Sequence, residues 1–251
     1  QTAQGEATLA GAKFQVINRS ANSVKVGDKI YAPGDVICEL TTDAKGTAKT
    51  GNIFPIGSYE IKEVAAPTGY LLNTQWKQTF SVTAEKKDHS FTYADGTGCP
   101  DTVIAGKIQI SKKIVNTIDN LSAAEAGAKF SVTDSKGNVV DTIVIAENGI
   151  GISKDLPYGT YTIKQISGQA GTILCDSWTV TITENGKVYE YSKENPLWTA
   201  SVSLHKKEAG VETPLVGTFE LCERMEDGTV KVLETGNTDA EGNLTFTRKI
   251  V

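Results

Sequence analysis

The sequence predicts an all-β chain built of β-sandwich units in tandem. Three observations carry this: an internal repeat, alternation of apolar and polar residues with period two, and turn chemistry at short intervals. The repeat is plainest where Gly57-Ser58-Tyr59-Glu60-Ile61-Lys62-Glu63 returns as Gly159-Thr160-Tyr161-Thr162-Ile163-Lys164-Gln165, an offset of 102 that also relates Pro55 to Pro157 and Trp76 to Trp178. A third copy opens with Val216-Gly217-Thr218-Phe219, matching Ala10-Gly11-Ala12-Lys13-Phe14 and Ala126-Gly127-Ala128-Lys129-Phe130. Thr42-Asp43-Ala44-Lys45-Gly46 likewise recurs as Thr238-Asp239-Ala240-Glu241-Gly242. Units of about 100 residues are ordinary domains, far longer than solenoid repeats. The units expected are 1–104, 105–197 and 198–251, the last holding only the N-terminal half of the pattern.

Within the units, Phe14/Val16, Tyr59/Ile61, Phe130/Val132, Tyr161/Ile163 and Val180/Ile182 alternate with polar neighbours, the signature of half-buried antiparallel strands. Glu184-Asn185-Gly186-Lys187 reads as a hairpin turn, because Asn-Gly accepts positive φ. Helical periodicity is nearly absent; Asp119 to Ala126 is expected to form one turn, capped by Asp119 or Asn120.

Composition excludes several functions. Lys+Arg is 25 against Asp+Glu 30, without the basic excess of a nucleic-acid binder. No apolar run approaches the roughly 18 residues of a membrane span. The start at Gln1, lacking Met and the layout of a signal peptide, reads as a mature product or an excised piece. Cys38, Cys99, Cys175 and Cys222 are far apart and read as isolated half-buried thiols, although four cysteines allow three pairings. Neither they nor the single histidines His89 and His205 show metal-ligand spacing, and no cofactor motif occurs. No nucleophile elbow or P-loop appears, so the chain is expected not to be an enzyme acting on other molecules.

The informative residues are polar ones on apolar faces. Ile108, Ile110 and Lys112 share one strand face, as do Val202, Leu204 and Lys206. Tyr59 and Ile61 lead to Glu63, Tyr161 and Ile163 to Gln165, and Tyr189 and Tyr191 to Asn195. Burying such groups unpaired is costly, so they should meet one another or emerge at a sheet end, and recurrence at the same place favours the former.

These residues, with Leu9 to Phe14, Thr42 to Gly46 and Pro55 to Tyr70, resemble the Cna protein B-type (SpaA pilin-like) domains of Gram-positive surface proteins. The resemblance implies immunoglobulin-like or prealbumin-like sandwiches and an extracellular, cell-wall location. Its partners would be the neighbouring domains of a parent surface protein, with no membrane insertion in this stretch. It also implies a self-formed isopeptide bond from a first-strand lysine to a last-strand Asn or Asp, promoted by a buried Glu. By that pattern Lys112 and Asn195 are the cross-link candidates of unit two, with Gln165 where the family carries Glu. In unit one Glu63 fits and Asp101 is the acceptor candidate, but the lysine falls ahead of Gln1. In unit three only Lys206 fits. Gln cannot shuttle a proton, so the expected Lys112–Asn195 bond is slow or absent. The function implied is a stalk or backbone segment. The alternative is an adhesive module for a host glycan or protein, pointed to by the insertion Asn18 to Asp35.

Overall fold

The computed structural model describes residues 2–116 and 121–247. Unit one contains β1 (Lys13–Asn18), β2 (Val24–Val26), β3 (Lys29–Tyr31), β4 (Val36–Thr41), β5 (Gly57–Ala65), β6 (Tyr70–Leu71), β7 (Lys77–Val82) and β8 (Thr102–Val103). Unit two contains β9 (Ala105–Asn116), β10 (Leu121–Ala124), β11 (Lys129–Thr133), β12 (Val139–Val144), β13 (Ile150–Ile152), β14 (Leu156–Pro157), β15 (Gly159–Ser167), β16 (Trp178–Ile182) and β17 (Val188–Pro196). The third stretch contains β18 (Ser203–His205), β19 (Thr218–Arg224), β20 (Val230–Asn237) and β21 (Asn243–Thr245). No helix occurs among the described residues.

The repeat is a repeat of topology. One sheet of unit one runs β4-β1-β5-β7, and its counterpart in unit two runs β12-β11-β15-β16. Register matches as well: Phe14 lies opposite Glu63 and Phe130 opposite Gln165, with a bulge just before each phenylalanine. The Gly-x-Tyr corners repeat too, since Tyr59 and Tyr161 each donate a 2.8 Å hydrogen bond to the carbonyl of Pro55 or Pro157. Period-two alternation therefore reports real faces. Ile108, Ile110, Phe130, Val132, Ile163, Val180 and Ile182 form the core of unit two.

The second sheet distinguishes the units. In unit two β9 is its centre, flanked by β10, β13 and β14 and paired in parallel with β17. In unit one the strands outside the first sheet form two separate two-stranded ladders, β2–β3 and β6–β8, and aromatics pack together, with Phe80 5.0 Å from His89 and 5.8 Å from Phe91 between ring centroids. The third stretch holds two separate two-stranded ladders, β19–β20 and β18–β21.

Three expectations need correction. The Asn185-Gly186 turn exists, with Gly186 at φ 74°, but it closes no hairpin. It carries the chain from one sheet to the other, held by hydrogen bonds between Gly186 N and Ala105 O and between Ala105 N and Asn185 Oδ1. The pairing it leads to, β17 on β9, is parallel rather than antiparallel. Leu121–Ala124 is strand, not helix, because it pairs with β9; Asp119 and Asn120 lie outside the described residues. All four cysteines are free, but Cys222, on a two-stranded ladder, is exposed rather than half-buried.

Candidate functional site

The polar residues aimed at the core of unit two converge. Lys112 follows Ile108 and Ile110 on the inward face of β9, and its side chain is 0% exposed. Asn195, near the end of the parallel neighbour β17, is equally buried. Between them stands Glu125, also fully buried, which the sequence reading did not single out. Pairing of Ala124 with Lys113 brings Glu125 alongside Lys112, and the Glu125 amide donates to the Lys112 carbonyl.

Glu125 Oε2 lies 2.7 Å from Lys112 Nζ and accepts from Asn195 Nδ2 at 2.9 Å. Its Oε1 accepts from Gln169 N at 2.7 Å and from Thr172 Oγ1 at 3.3 Å. Lys112 Nζ also donates to the Lys113 carbonyl. Every charge is thus paired and hydrogen-bonded, which is what makes a buried ion pair tolerable. One polar atom is left over: Asn195 Oδ1 is buried without a hydrogen-bond partner. A half-turn of that amide would set Oδ1 on Glu125, the arrangement in which a protonated carboxyl polarises the carbonyl.

Gln165 is buried as the alternation predicts, but it serves the backbone. Its Oε1 accepts from Cys175 N and its Nε2 donates to Ser167 O, holding the segment that carries Gln169 and Thr172. Gln165 stands where the family pattern expects the acid, and in this geometry a carboxyl, Glu125, reaches Lys112 and Asn195 from the turn after β10. A signal for it exists in the sequence. Aligning Phe14 with Phe130 sets Glu125 opposite Leu9, a carboxylate in an apolar slot of the repeat.

In unit one Glu63 is buried and its Oε2 accepts from Asn73 N at 2.9 Å. Asp101 and Cys99 face it: one donor atom from each of the three residues lies within 4.8 Å of the others. Burial first, and the Glu63 carboxylate second, push the Asp101 carboxyl up to about 7. Burial, reinforced by Glu63 and Asp101, also pushes the Cys99 thiol up. No salt bridge to Glu63 is found among the described residues. Lys206 departs from expectation, since its side chain is exposed. It lies just past β18, in a ladder of only two strands.

Similarity to known proteins agrees with the architecture. The Bacillus anthracis TIE protein superposes with a TM-score of 0.58 at 23% identity, over 97% of this chain and 41% of that protein. This chain therefore spans less than half the length of that relative, and the likeness is one of fold. The minor pilin GBS52 of Streptococcus agalactiae aligns at 19% identity over 75% of this chain and 84% of its own, with a TM-score of 0.34. No curated protein matches at a significant level. Among the described residues no helix is long and apolar enough to cross a membrane. The SpaA prealbumin-like fold domain family matches twice, over residues 1–97 and 106–196, and the chain belongs to that family.

Proposed function

We propose that the chain is a structural stalk segment of a Gram-positive surface or pilus protein, with units bounded near residues 104 and 197, and that unit two closes an amide cross-link between Lys112 and Asn195. One observation carries the reading: an amine and a side-chain amide lie together in a dry core, both in contact with the buried carboxyl of Glu125.

The chemistry follows from these contacts. Lys112 passes a proton to Glu125 and becomes a neutral nucleophile. Its Nζ attacks Cγ of Asn195, whose carbonyl is polarised by the protonated Glu125. The C–N bond to Nδ2 breaks, Glu125 returns a proton to the departing nitrogen, and the proton shed by Nζ restores the acid. The balance is one new amide and one ammonia. Rigid placement supplies effective concentration without a second molecule. The closed loop, Lys112 to Asn195 inclusive, has 84 residues. By the chain-entropy account for cross-links this contributes roughly 4–5 kcal/mol, comparable to the whole net stability of many domains.

Intact mass tests the reading. The purified chain is expected to weigh one ammonia less than its sequence, with a branched tryptic peptide joining Lys112 to Asn195. Lys112→Ala and Asn195→Ala restore the full mass. A folded wild-type chain at full mass overturns the cross-link.

A further inference from the structure

We propose that the far end of unit two is a socket for the Pro55–Ser58 corner of a second copy of this chain, so that copies dock head to tail. The template for the contact is the joint between units one and two. There the corner Pro157-Tyr158-Gly159-Thr160 sits on the end of unit one. Ile104 N donates to Gly69 O at 2.8 Å, and Tyr158 N donates to Ile104 O at 2.7 Å. Gly69 makes room for the tyrosine, since a Cβ there would lie 2.9 Å from Tyr158 Cδ1 and 2.6 Å from Ala7 Cβ. Ala7 is only 5% exposed beside the contact. Glu6 completes the joint: its N–H donates to Tyr158 O at 2.9 Å, and its Oε2 accepts from Thr160 N at 3.1 Å.

The far end of unit two repeats this platform and leaves it bare. Trp198 N donates to Gly171 O at 2.7 Å, as Ile104 N does to Gly69 O. Thr172 bridges to Leu197 as Tyr70 pairs with Val103. Gly171 also keeps the positive φ of Gly69, 79° against 87°. Yet a Cβ on Gly171 would meet nothing within 4 Å, and Trp198 is 63% exposed. Aligning Phe14 with Phe130 puts Ala123 at the place of Ala7, and Ala123 is exposed where Ala7 is buried. An uncovered indole on such a platform is the kind of anchor on which binding energy concentrates.

The matching piece lies in unit one. Pro55-Ile56-Gly57-Ser58 is the repeat of Pro157–Thr160, and Ile56, in the place of Tyr158, is 71% exposed. The polar half of the joint differs on both sides together. On the socket, the same alignment puts Ser122 where unit one has Glu6, which removes the carboxylate that received the corner's amide. On the corner, Ser58 N already donates to Ser20 Oγ at 3.0 Å and needs no such acceptor. What remains is an apolar contact, Ile56 on Gly171 and Trp198, with Ile56 N donating to Trp198 O. Corner and socket are different surfaces, so the contact is heterologous and propagates from copy to copy unless it closes into a ring. Lys112, Glu125 and Asn195 take no part, so the proposal stands apart from the cross-link.

Sedimentation velocity of the full chain, at concentrations rising to about 1 mM to reach a weak joint, tests this. The wild type is expected to grow past the dimer as concentration rises. Ile56→Asp, which spoils the corner, and Trp198→Asp, which spoils the socket, each leave a monomer. Mixed one to one, the two variants form a dimer and stop there, because the pair holds one sound corner and one sound socket. Both side chains are exposed, and circular dichroism of each variant establishes that it is folded. Intact mass of both variants should equal that of the wild type apart from the substitution, which keeps the outcome separate from the fate of the cross-link. A wild type that stays monomeric throughout overturns the proposal. A monomer that Trp198→Asp destabilises gives the socket to the third stretch of the same chain instead. Assembly that survives both substitutions, or a closed dimer that mixing does not restore, overturns it as well.

Discussion

Units one and two share a sheet order and a register, yet they hold their buried carboxyl differently. Unit one places Glu63 on β5 opposite Phe14 and has Leu9 just ahead of β1. Unit two places Gln165 opposite Phe130 and puts Glu125 at the position of Leu9. The acid has moved across the sandwich while the pocket has stayed. Physics constrains where the carboxylate ends up, within reach of the amine and amide, and leaves open which strand delivers it. The vacated position is occupied by an amide that satisfies the Cys175 N–H, a neutral task for which Gln suffices.

The comparison breaks most readily at Glu125. Glu125→Ala strands Lys112 in the core and removes the acceptor for Asn195, Gln169 and Thr172. We expect full retention of ammonia and a loss of about 3–5 kcal/mol, read by mass and by chemical denaturation. If Gln165 instead were indispensable, Gln165→Ala would abolish the mass loss and Glu125→Ala would not. Gly168→Ala comes next. A Cβ there would lie 2.6 Å from Glu125 Oε1 and 3.0 Å from Gln165 Nε2, displacing the carboxylate. A cost of about 2 kcal/mol and slower ammonia release in a time course are expected. Gln165→Ala should cost about 1–2 kcal/mol by orphaning the Cys175 amide, yet leave the mass loss intact.

The smallest effect belongs to unit one and sharpens its side of the contrast. The Asp101 carboxyl is held at about 7, above its ordinary range, by burial and by Glu63, with Cys99 and Tyr93 also facing it. The folded state then binds more protons than the unfolded chain across that window. Stability from this group is greatest in acid and falls as pH rises from about 4 towards 7. The melting temperature of the wild type should decline between pH 5 and 8 more steeply than that of Asp101→Asn.

Much of this was legible in the sequence. Alternation placed Lys112, Gln165, Glu63 and Asn195 on inward faces, because a strand offers only two sides. The resemblance joined Lys112 to Asn195, whose strands lie adjacent. Glu125 was missed because it lies in the turn after β10, where period two gives no direction. Its role depends on the pairing of Ala124 with Lys113, a contact that local pattern does not encode. The reading of Asn185-Gly186 as a hairpin failed for a related reason. Turn chemistry fixes the bend but not which sheet receives the next strand. Lys206 follows the alternation rule, but it is exposed beside a two-stranded ladder, so alternation alone does not make its face an interior.

The parallel pairing of β17 with β9 sets Lys112 and Asn195 near the same end of two adjacent strands. Traction entering at Ala105 would travel along β9, cross at the amide and leave through Pro196. Residues 113–194 would then hang outside the loaded path as slack. At about 3.3–3.6 Å per extended residue, that withholds roughly 280 Å of contour length from any pull on the ends. A single-molecule trace of the linked unit would lack that step, and the segment would behave as an inextensible spacer.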